Sequence, residues 1–273
     1  MSSSDVFDRY MAVLGLEESP PGSRALSALV RAHLTRVPFE NISKLFLHRK
    51  TGATTIPMLD DYLDGISRFN LGGTCYANNV YLFQLMRNLG YDVRLCGAHM
   101  SKPNVHAVSV VRLNGREYLV DVGYGAPFSS PMPRDLDEDF IVNFGRDRYV
   151  LRPQDGAGRS AMDHYRDNTR VHGYVVEPTS RSLGDFEEVI RGSYRREATF
   201  MNAVALARFY RDRVVRIRNL SIIESTSEGE TETRLEDRDA LIDAVRRIFG
   251  IPGAIVRFAL DGLDRLVEVQ DLE

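Results

Sequence analysis

The sequence has no tryptophan, only two cysteines among 273 residues, and no apolar run long enough to span a membrane. Its 35 basic and 38 acidic residues give a net charge of −3, so it lacks the broad positive field typical of nucleic-acid binding. We therefore expect neither nucleic acid nor a membrane as a partner. The oligomeric state stays open.

Signals for export, for nucleotide binding and for metal binding are missing too. Residues 1–5 lack the charged and apolar regions of a secretory signal, so we expect a cytoplasmic protein with Cys75 and Cys96 as free thiols. No Gly-rich loop of the GxxxxGK[ST] type occurs. No metal site is expected, because five histidines show no paired ligand spacing with the cysteines: His33, His48, His99, His164 and His172.

The spacing of apolar residues changes twice along the chain and predicts an α+β protein. Up to about residue 90 it is helical, which predicts helices over residues 5–14, 24–34 and 59–69. Strands then dominate to about residue 177, and an antiparallel β-barrel is the natural way to close them. The remainder is mixed, with predicted helices over 200–214 and 237–249 and predicted strands over 217–224 and 231–235.

Cys75 follows the double glycine Gly72-Gly73 and begins a segment of helical periodicity that ends at Gly90. It therefore lies at the N-terminus of the predicted helix, where unpaired N–H groups and the helix dipole favour a thiolate. A lone cysteine in such a position is more commonly a small buried apolar residue. A nucleophilic role requires a base nearby.

A predicted β-hairpin supplies that base. Two strand-like segments, residues 105–113 and 116–122, are joined by Asn114-Gly115, a strong signal for a two-residue hairpin turn. In this register Arg112 faces Glu117 and Val108 faces Asp121. Because side chains alternate between faces, His106 and Asp121 share one face as diagonal neighbours, about 7 to 8 Å apart at the backbone. Their side chains can reach each other.

Cys75, His106 and Asp121 together have the chemistry of an activated thiol: a nucleophile, its base, and a carboxylate that orients the base. Each residue also has an ordinary structural interpretation, since a strand histidine is commonly just hydrogen-bonded and an aspartate at a strand end is commonly a turn residue. The joint occurrence favours a cysteine enzyme.

These residues resemble the motifs of the arylamine N-acetyltransferase family. The resemblance covers most of the chain and runs through residues 37–41, Gly72 to Cys75 with Asn79, His106, residues 121–125 and residues 236–251. It implies that Cys75 is acylated by acetyl-coenzyme A, that His106 is its base and that Asp121 completes the triad. The acceptor would be an arylamine, an arylhydrazine or an N-hydroxyarylamine.

The resemblance also implies how the catalytic residues are distributed among the domains. It implies a cysteine-protease-like catalytic core. The nucleophile would lie in a helical domain over residues 1–90, and His106 and Asp121 in a β-barrel domain over residues 91–190. Residues 191–273 would form an α/β lid. Phe39 and Tyr124 match positions that line the acceptor pocket, although both could simply be core residues. Lys102 is a candidate phosphate contact for the coenzyme, although an exposed lysine is usually only solvated.

Two residues depart from the family pattern. The motif usually has an arginine before the double glycine and a glutamate two residues after the cysteine, where this chain has Leu71 and Ala77. Glu40 is thereby expected to lose its arginine partner, and, if buried, to become protonated or find another donor. Two alternatives therefore stay open: a related cysteine amide synthase or hydrolase with another acyl donor, and a catalytically quiet binding protein on the same scaffold.

Overall fold

The computed structural model describes residues 3–263 and residue 266. The first part of the chain is helical, with one two-residue strand, β1 (Phe39–Glu40). Its helices are α1 (Ser3–Leu14), α2 (Ser23–Arg36), α3 (Ile42–Thr51), α4 (Leu59–Phe69) and α5 (Cys75–Asn88). Apolar side chains of α1, α2, α4 and α5 form one core cluster, onto which Val111, Val120 and Val122 also pack.

The middle of the chain forms an eight-stranded antiparallel sheet in the order β5-β4-β3-β2-β9-β8-β7-β6. Its end strands, β5 and β6, are joined by one short loop, so the sheet curls into a nearly closed barrel. The strands are β2 (Asp92–His99), β3 (His106–Leu113), β4 (Arg116–Val120), β5 (Met132–Pro133), β6 (Phe140–Phe144), β7 (Asp147–Leu151), β8 (Ser160–Arg166) and β9 (Thr169–Ser180). Cys96 is buried inside it and is a free thiol, as Cys75 is.

A short helix, α6 (Glu187–Gly192), leads into a second antiparallel sheet. Its order is β1-β10-β11-β12-β13, so β1 from the helical region pairs with strands from much later in the chain. The new strands are β10 (Ala205–Phe209), β11 (Arg213–Arg218), β12 (Ser221–Thr226) and β13 (Glu230–Arg234). Two helices follow, α7 (Arg238–Phe249) and α8 (Gly253–Leu260).

Several local predictions are confirmed. The Asn114-Gly115 turn has positive φ at both residues, and the ladder pairs Leu113 with Arg116 and Arg112 with Glu117. Helix α7 begins where the Asp237 side chain accepts a hydrogen bond from Ala240 N at 2.8 Å, and it ends at Gly250 with φ 73°. Within the described ranges no helix has both the length and the apolar character to cross a membrane.

The helix predicted over residues 200–214 is wrong. This segment contains β10 and the start of β11. Strand β10 pairs with β1 on one side and with β11 on the other, and apolar residues are buried on both of its faces. A strand buried on both faces has no alternation that would distinguish it from a helix. The single strand predicted over 217–224 is divided between two strands: residues 217–218 end β11, residues 221–224 begin β12, and the turn at Asn219 lies between them.

Helices α3, α6 and α8 and strands β1, β5 and β8 had no sequence prediction. The domain boundaries after residues 90 and 190 stay predictions.

Asn41 links the helical region to the second sheet. Its buried side chain donates to Phe200 O at 2.9 Å and Ala203 O at 2.7 Å, and accepts from Ala205 N at 2.9 Å. The turn from β1 into α3 is thereby joined to the turn before β10.

We predict that Asn41→Ala lowers the free energy of unfolding by about 2 to 4 kcal/mol, because three backbone groups lose a partner. Urea denaturation measures it. Asn143→Ala, at an exposed position of β6, is the control and should stay within about 0.5 kcal/mol of the unaltered protein. An Asn41→Ala loss no larger than that of the control would contradict the assignment.

Candidate active site

The turn that delivers Cys75 is clamped by β1. Glu40 N donates to Gly73 O at 3.1 Å, and the Glu40 carboxylate accepts from Gly72 N at 2.9 Å. The chains approach so closely here that a Cβ on Gly72 would lie 2.0 Å from Pro38 O. Only glycine fits at this position. The double glycine is thus needed so that β1 can hold the start of α5.

Backbone N–H groups are the donors to the Glu40 carboxylate. Its carboxylate also accepts from Ser43 N at 2.8 Å, and among the described residues no arginine or lysine lies within ion-pair distance of it. Burial raises the pKa of Glu40, and the hydrogen bonds from Ser43 and Gly72 act against that rise. The carboxyl therefore has other donors, as one of the two expectations from the sequence stated, and its pKa nevertheless stays raised.

Leu71 and Ala77 stand where the family motif has charged residues, and both are packed in apolar surroundings. Leu71 joins the core cluster under α7 and α8, and Ala77 joins the cluster of the amino-terminal helices. Both residues on either side of the turn therefore make apolar contacts.

His106 and Asp121 meet as the hairpin register predicts. His106 Nε2 lies 2.8 Å from Asp121 Oδ2, and both residues are 1% exposed. The paired ladder ends at Ser109 and Val120, so Asp121 is the residue immediately after β4. It leaves the strand still on the face that carries His106.

Three further groups hold the Asp121 carboxylate. Asn79 Nδ2 donates to Oδ1 at 2.8 Å, Gly123 N to Oδ1 at 3.0 Å, and the Tyr174 hydroxyl to Oδ2 at 2.8 Å. Asn79 also accepts from Val122 N at 2.8 Å. Because Asn79 is one turn after Cys75 on α5, it ties the helix that carries the thiol to the carboxylate.

Cys75 and His106 line the same cavity, and Cys75 contributes to the pKa of His106. Because His106 Nε2 faces Asp121, Nδ1 is the ring nitrogen that remains available to the thiol. Burial alone lowers the pKa of His106, but the Asp121 carboxylate, with help from Cys75, raises it to about 10. Burial alone raises the pKa of Asp121, and His106 brings it below its usual range. The pair therefore favours an imidazolium beside a carboxylate.

A cleft beside Cys75 and His106 contains about 890 Å³ of empty space, part of which is open to solvent. Phe39 and Tyr124 both line it. The Tyr124 ring lies 5.9 Å from the His106 ring, and its hydroxyl is hydrogen-bonded to His172. The Phe39 ring meets Phe200 edge to face at 5.9 Å. An aromatic molecule can therefore lie beside the thiol against aromatic walls.

Lys102 is exposed in the turn before β3 and is not among the residues that line this cavity. Its suggested contact with the coenzyme stays a prediction. Among residues 3–263, no cluster of histidine, cysteine and acidic side chains has the composition of a metal site.

Lys44 is a charged residue near the site that sequence patterns did not indicate. It is 7% exposed, its Nζ donates to Ser193 Oγ at 2.6 Å, and it lies 4.2 Å from the centre of the Tyr194 ring. Burial lowers the pKa of Lys44 to about 8, and the nearby Cys75 acts against that fall. No motif contains Lys44, and its burial depends on contacts with Ser193 and Tyr194, which lie far away in the sequence.

The chain is similar to known N-acyltransferases in sequence. A sequence profile described as N-acetyltransferase matches residues 24–255. The arylamine N-acetyltransferase pineal-gland isozyme NAT-10 of Gallus gallus is 29% identical over 208 residues, which cover 66% of this chain and 69% of the relative. The N-malonyltransferase FDB2 of Fusarium pseudograminearum is 32% identical over 122 residues, 38% of this chain and 35% of that protein.

The fold is shared with solved structures. The arylamine N-acetyltransferase of Mycobacterium marinum in complex with CoA superposes with a TM-score of 0.79 at 21% identity, covering 94% of this chain and 99% of that one. The α+β architecture predicted from the sequence is confirmed by this likeness.

Gly123 is predicted to tolerate no side chain, because a Cβ there would lie 2.6 Å from Cys75 Cα and 2.7 Å from Asn79 Nδ2. We expect Gly123→Ala to separate α5 from the Asp121 loop and to slow alkylation of Cys75 by iodoacetamide about 10- to 100-fold. Gly156→Ala, at a position with nothing within 4 Å, should alkylate at the normal rate. Equal rates for the two variants would rule out the close contact.

The contribution of the His106–Asp121 pair to the free energy of unfolding should decrease at alkaline pH. A histidine whose folded pKa is raised to about 10 stabilises the fold fully below its unfolded value, about 6.5, and loses this contribution as the pH rises toward 10. In a Cys75→Ser background, the free energy of unfolding should therefore fall more between pH 6.5 and 10 than after the further change Asp121→Asn. Urea denaturation at both pH values measures this, and parallel pH profiles would refute the pairing.

Proposed function

This chain belongs to the arylamine N-acetyltransferase family, and on that premise we propose that it transfers an acetyl group from acetyl-coenzyme A to an aromatic amine by way of Cys75. The observation that carries the proposal is the buried contact between His106 and Asp121 beside an aromatic cavity that Cys75 and His106 both line. This is the arrangement that a cysteine nucleophile requires.

In the first half-reaction the Cys75 sulfur attacks the thioester carbonyl carbon of acetyl-coenzyme A. The imidazolium form of His106, favoured by Asp121, stabilises the thiolate before attack, and Lys44 supplies a second positive charge nearby. The tetrahedral oxyanion collapses, the bond to the coenzyme sulfur breaks, and the departing coenzyme A thiolate takes the proton from His106. Cys75 is left as an acetyl thioester.

In the second half-reaction the amine nitrogen attacks the acetyl carbonyl carbon. His106, now neutral, accepts the proton that the nitrogen loses, and the Cys75 sulfur leaves as a thiolate. Asp121 keeps the imidazole oriented through both steps. Unpaired N–H groups in the first turn of α5 are the nearest candidates for stabilising the oxyanion.

Phe39 and Tyr124 are proposed to hold the aromatic ring of the acceptor, since both line the cavity beside the thiol. The acceptor could be an arylamine, an arylhydrazine or an N-hydroxyarylamine. An acyl donor other than acetyl-coenzyme A is a second candidate, because one relative is an N-malonyltransferase and arginines line the same cavity. The cytoplasmic location expected from the sequence belongs to the proposal as well.

The test is to incubate the protein with acetyl-coenzyme A and then with an aryl amine. We predict an acetyl adduct by intact mass, located on Cys75 by peptide mapping, that is discharged when the amine is added. Cys75→Ser should form no adduct while retaining its thermal unfolding temperature. A parallel incubation with malonyl-coenzyme A compares the two acyl groups directly.

The same experiment distinguishes acyl transfer from the two alternative functions. An adduct discharged by water at the same rate with and without amine would indicate a hydrolase. Absence of any adduct between pH 6 and 9, with either donor, would favour a catalytically quiet binding protein.

A further inference from the structure

The start of α5 is not held by the side chain that usually caps a helix. Thr74 is the N-cap and has extended backbone angles (φ −85°, ψ −173°), but within residues 74–78 its side chain accepts no hydrogen bond from the first turn. An N-cap side chain commonly holds a helix start by accepting from one of the first N–H groups. The position of Cys75 therefore depends on contacts that other residues make to the turn.

The Gly73 carbonyl receives such contacts from two sides. Its oxygen accepts from Glu40 N at 3.1 Å on the β1 side and from Asn78 Nδ2 at 3.0 Å on the α5 side. Two donors use both lone pairs of a carbonyl oxygen. Because the peptide group is planar, a fixed Gly73 oxygen also fixes the direction of the Thr74 N–H and the path of the chain into Cys75.

Tyr62 on α4 determines which way the Asn78 amide points. Its hydroxyl donates to Asn78 Oδ1 at 2.8 Å. An amide side chain can be turned end over end, which exchanges its donor and its acceptor. The Gly73 oxygen can only accept, so Nδ2 must face it, and the Tyr62 hydroxyl then binds the other end of the amide. A reversed amide would place two acceptors against each other at Gly73.

His33 on α2 supports Tyr62 from behind. Its Nε2 lies 3.4 Å from the Tyr62 hydroxyl oxygen. Since the Tyr62 hydrogen is given to Asn78, the hydrogen in this contact comes from His33. Burial lowers the pKa of His33 to about 3, and the neutral imidazole therefore carries its one N–H on Nε2.

His33, Tyr62 and Asn78, which we call the Asn78 chain, are a directed series of donors that ends at the turn. The three side chains are at most 3% exposed and come from α2, α4 and α5. The next residue, Asn79, donates to the Asp121 carboxylate. Two adjacent asparagines thus join α5 to the turn before it and to the carboxylate of the triad.

We propose that Asn78 is a positioning residue of the acyl-transfer site, which sets the direction of the first turn of α5 through the Gly73 carbonyl. The unpaired N–H groups of that turn favour a thiolate at Cys75 and are the candidate oxyanion donors, so both depend on its direction. Asn78 is fully buried and acts through the turn, without contact to a substrate. Its role in acyl transfer rests on the function proposed above, whereas its effect on the thiol does not.

The first test is the pH dependence of Cys75 alkylation by iodoacetamide, which requires no acyl donor. Asn78→Leu keeps the size of the side chain and removes its hydrogen bonds. We expect alkylation at pH 7 to slow about 3- to 30-fold, as for loss of the favourable field of a helix terminus. At high pH, where the thiol is ionised in both proteins, the two rates should converge. A substitution that only loosened the packing would change the rate alike at every pH.

Tyr62→Phe tests the chain one step further from the turn and leaves the Asn78 amide in place. It should slow alkylation at pH 7 about 2- to 10-fold, the effect of one hydrogen bond, with the same convergence at high pH. In an Asn78→Leu background, Tyr62→Phe should have no further effect on alkylation, because the link to the turn is already broken. Additive effects of the two changes would show that they act separately and would overturn the chain.

Tyr91→Phe is the matched control. Tyr91 is 5% exposed in the same core cluster as Tyr62, but its hydroxyl contacts Gly22 O at 3.3 Å, away from the turn. It removes the same group from the same core and should leave the pH profile of alkylation unmoved. An Asn78→Leu profile that coincides with that of Tyr91→Phe would overturn the proposal.

Acylation separates this proposal from the function on which it rests. Asn78→Leu should lower kcat/KM for acetyl-coenzyme A, which reports the first half-reaction of a ping-pong reaction, by a factor similar to that for alkylation at the same pH. A shifted alkylation profile in a protein that forms no acetyl adduct would sink the acyl-transfer function alone. Normal acylation of Asn78→Leu together with an unshifted profile would sink the positioning role alone.

Discussion

The buried Asp121 carboxylate is the group on which the site depends. A carboxylate with almost no contact with water is unfavourable unless every lone pair is used, and here His106, Asn79, Tyr174 and Gly123 use them. These partners come from β3, α5, β9 and the loop after β4. One buried charge therefore holds the helix that carries the thiol against the sheet that carries the base.

The sequence predicts the parts of the site that depend on local geometry. The Asn114-Gly115 turn determines the register, and the register alone places His106 and Asp121 on one face. The helix start at Cys75 follows from the double glycine and the apolar spacing. What the sequence could not predict comes from residues distant in the chain: Lys44 acquires its role by burial near Cys75, and Asn78 by its contact with a tyrosine of α4. Residues 200–214 were misassigned because a strand buried on both faces lacks a distinguishing period.

The departures at Leu71 and Ala77 show how a charged pair can be removed without loss of the turn that it would support. Apolar packing stabilises both residues, while the Glu40 carboxylate keeps the turn in place through backbone donors. Lys44, on a different helix, places a positive charge near the thiol in addition to that of His106. An ammonium whose pKa is about 8 is a weaker and more titratable charge than a guanidinium.

The pairing of β1 with β10 has a consequence for how the protein is made. Strand β1 holds the turn before Cys75, yet its own partner strand and the backbone groups bound by Asn41 lie in the second sheet, 159 residues later in the case of Phe200. Contacts this distant form late, because the intervening chain must first be synthesised and ordered. A partly synthesised chain would therefore carry the cysteine without a finished turn around it. The turn that holds Cys75 can therefore be completed only after most of the chain has been synthesised.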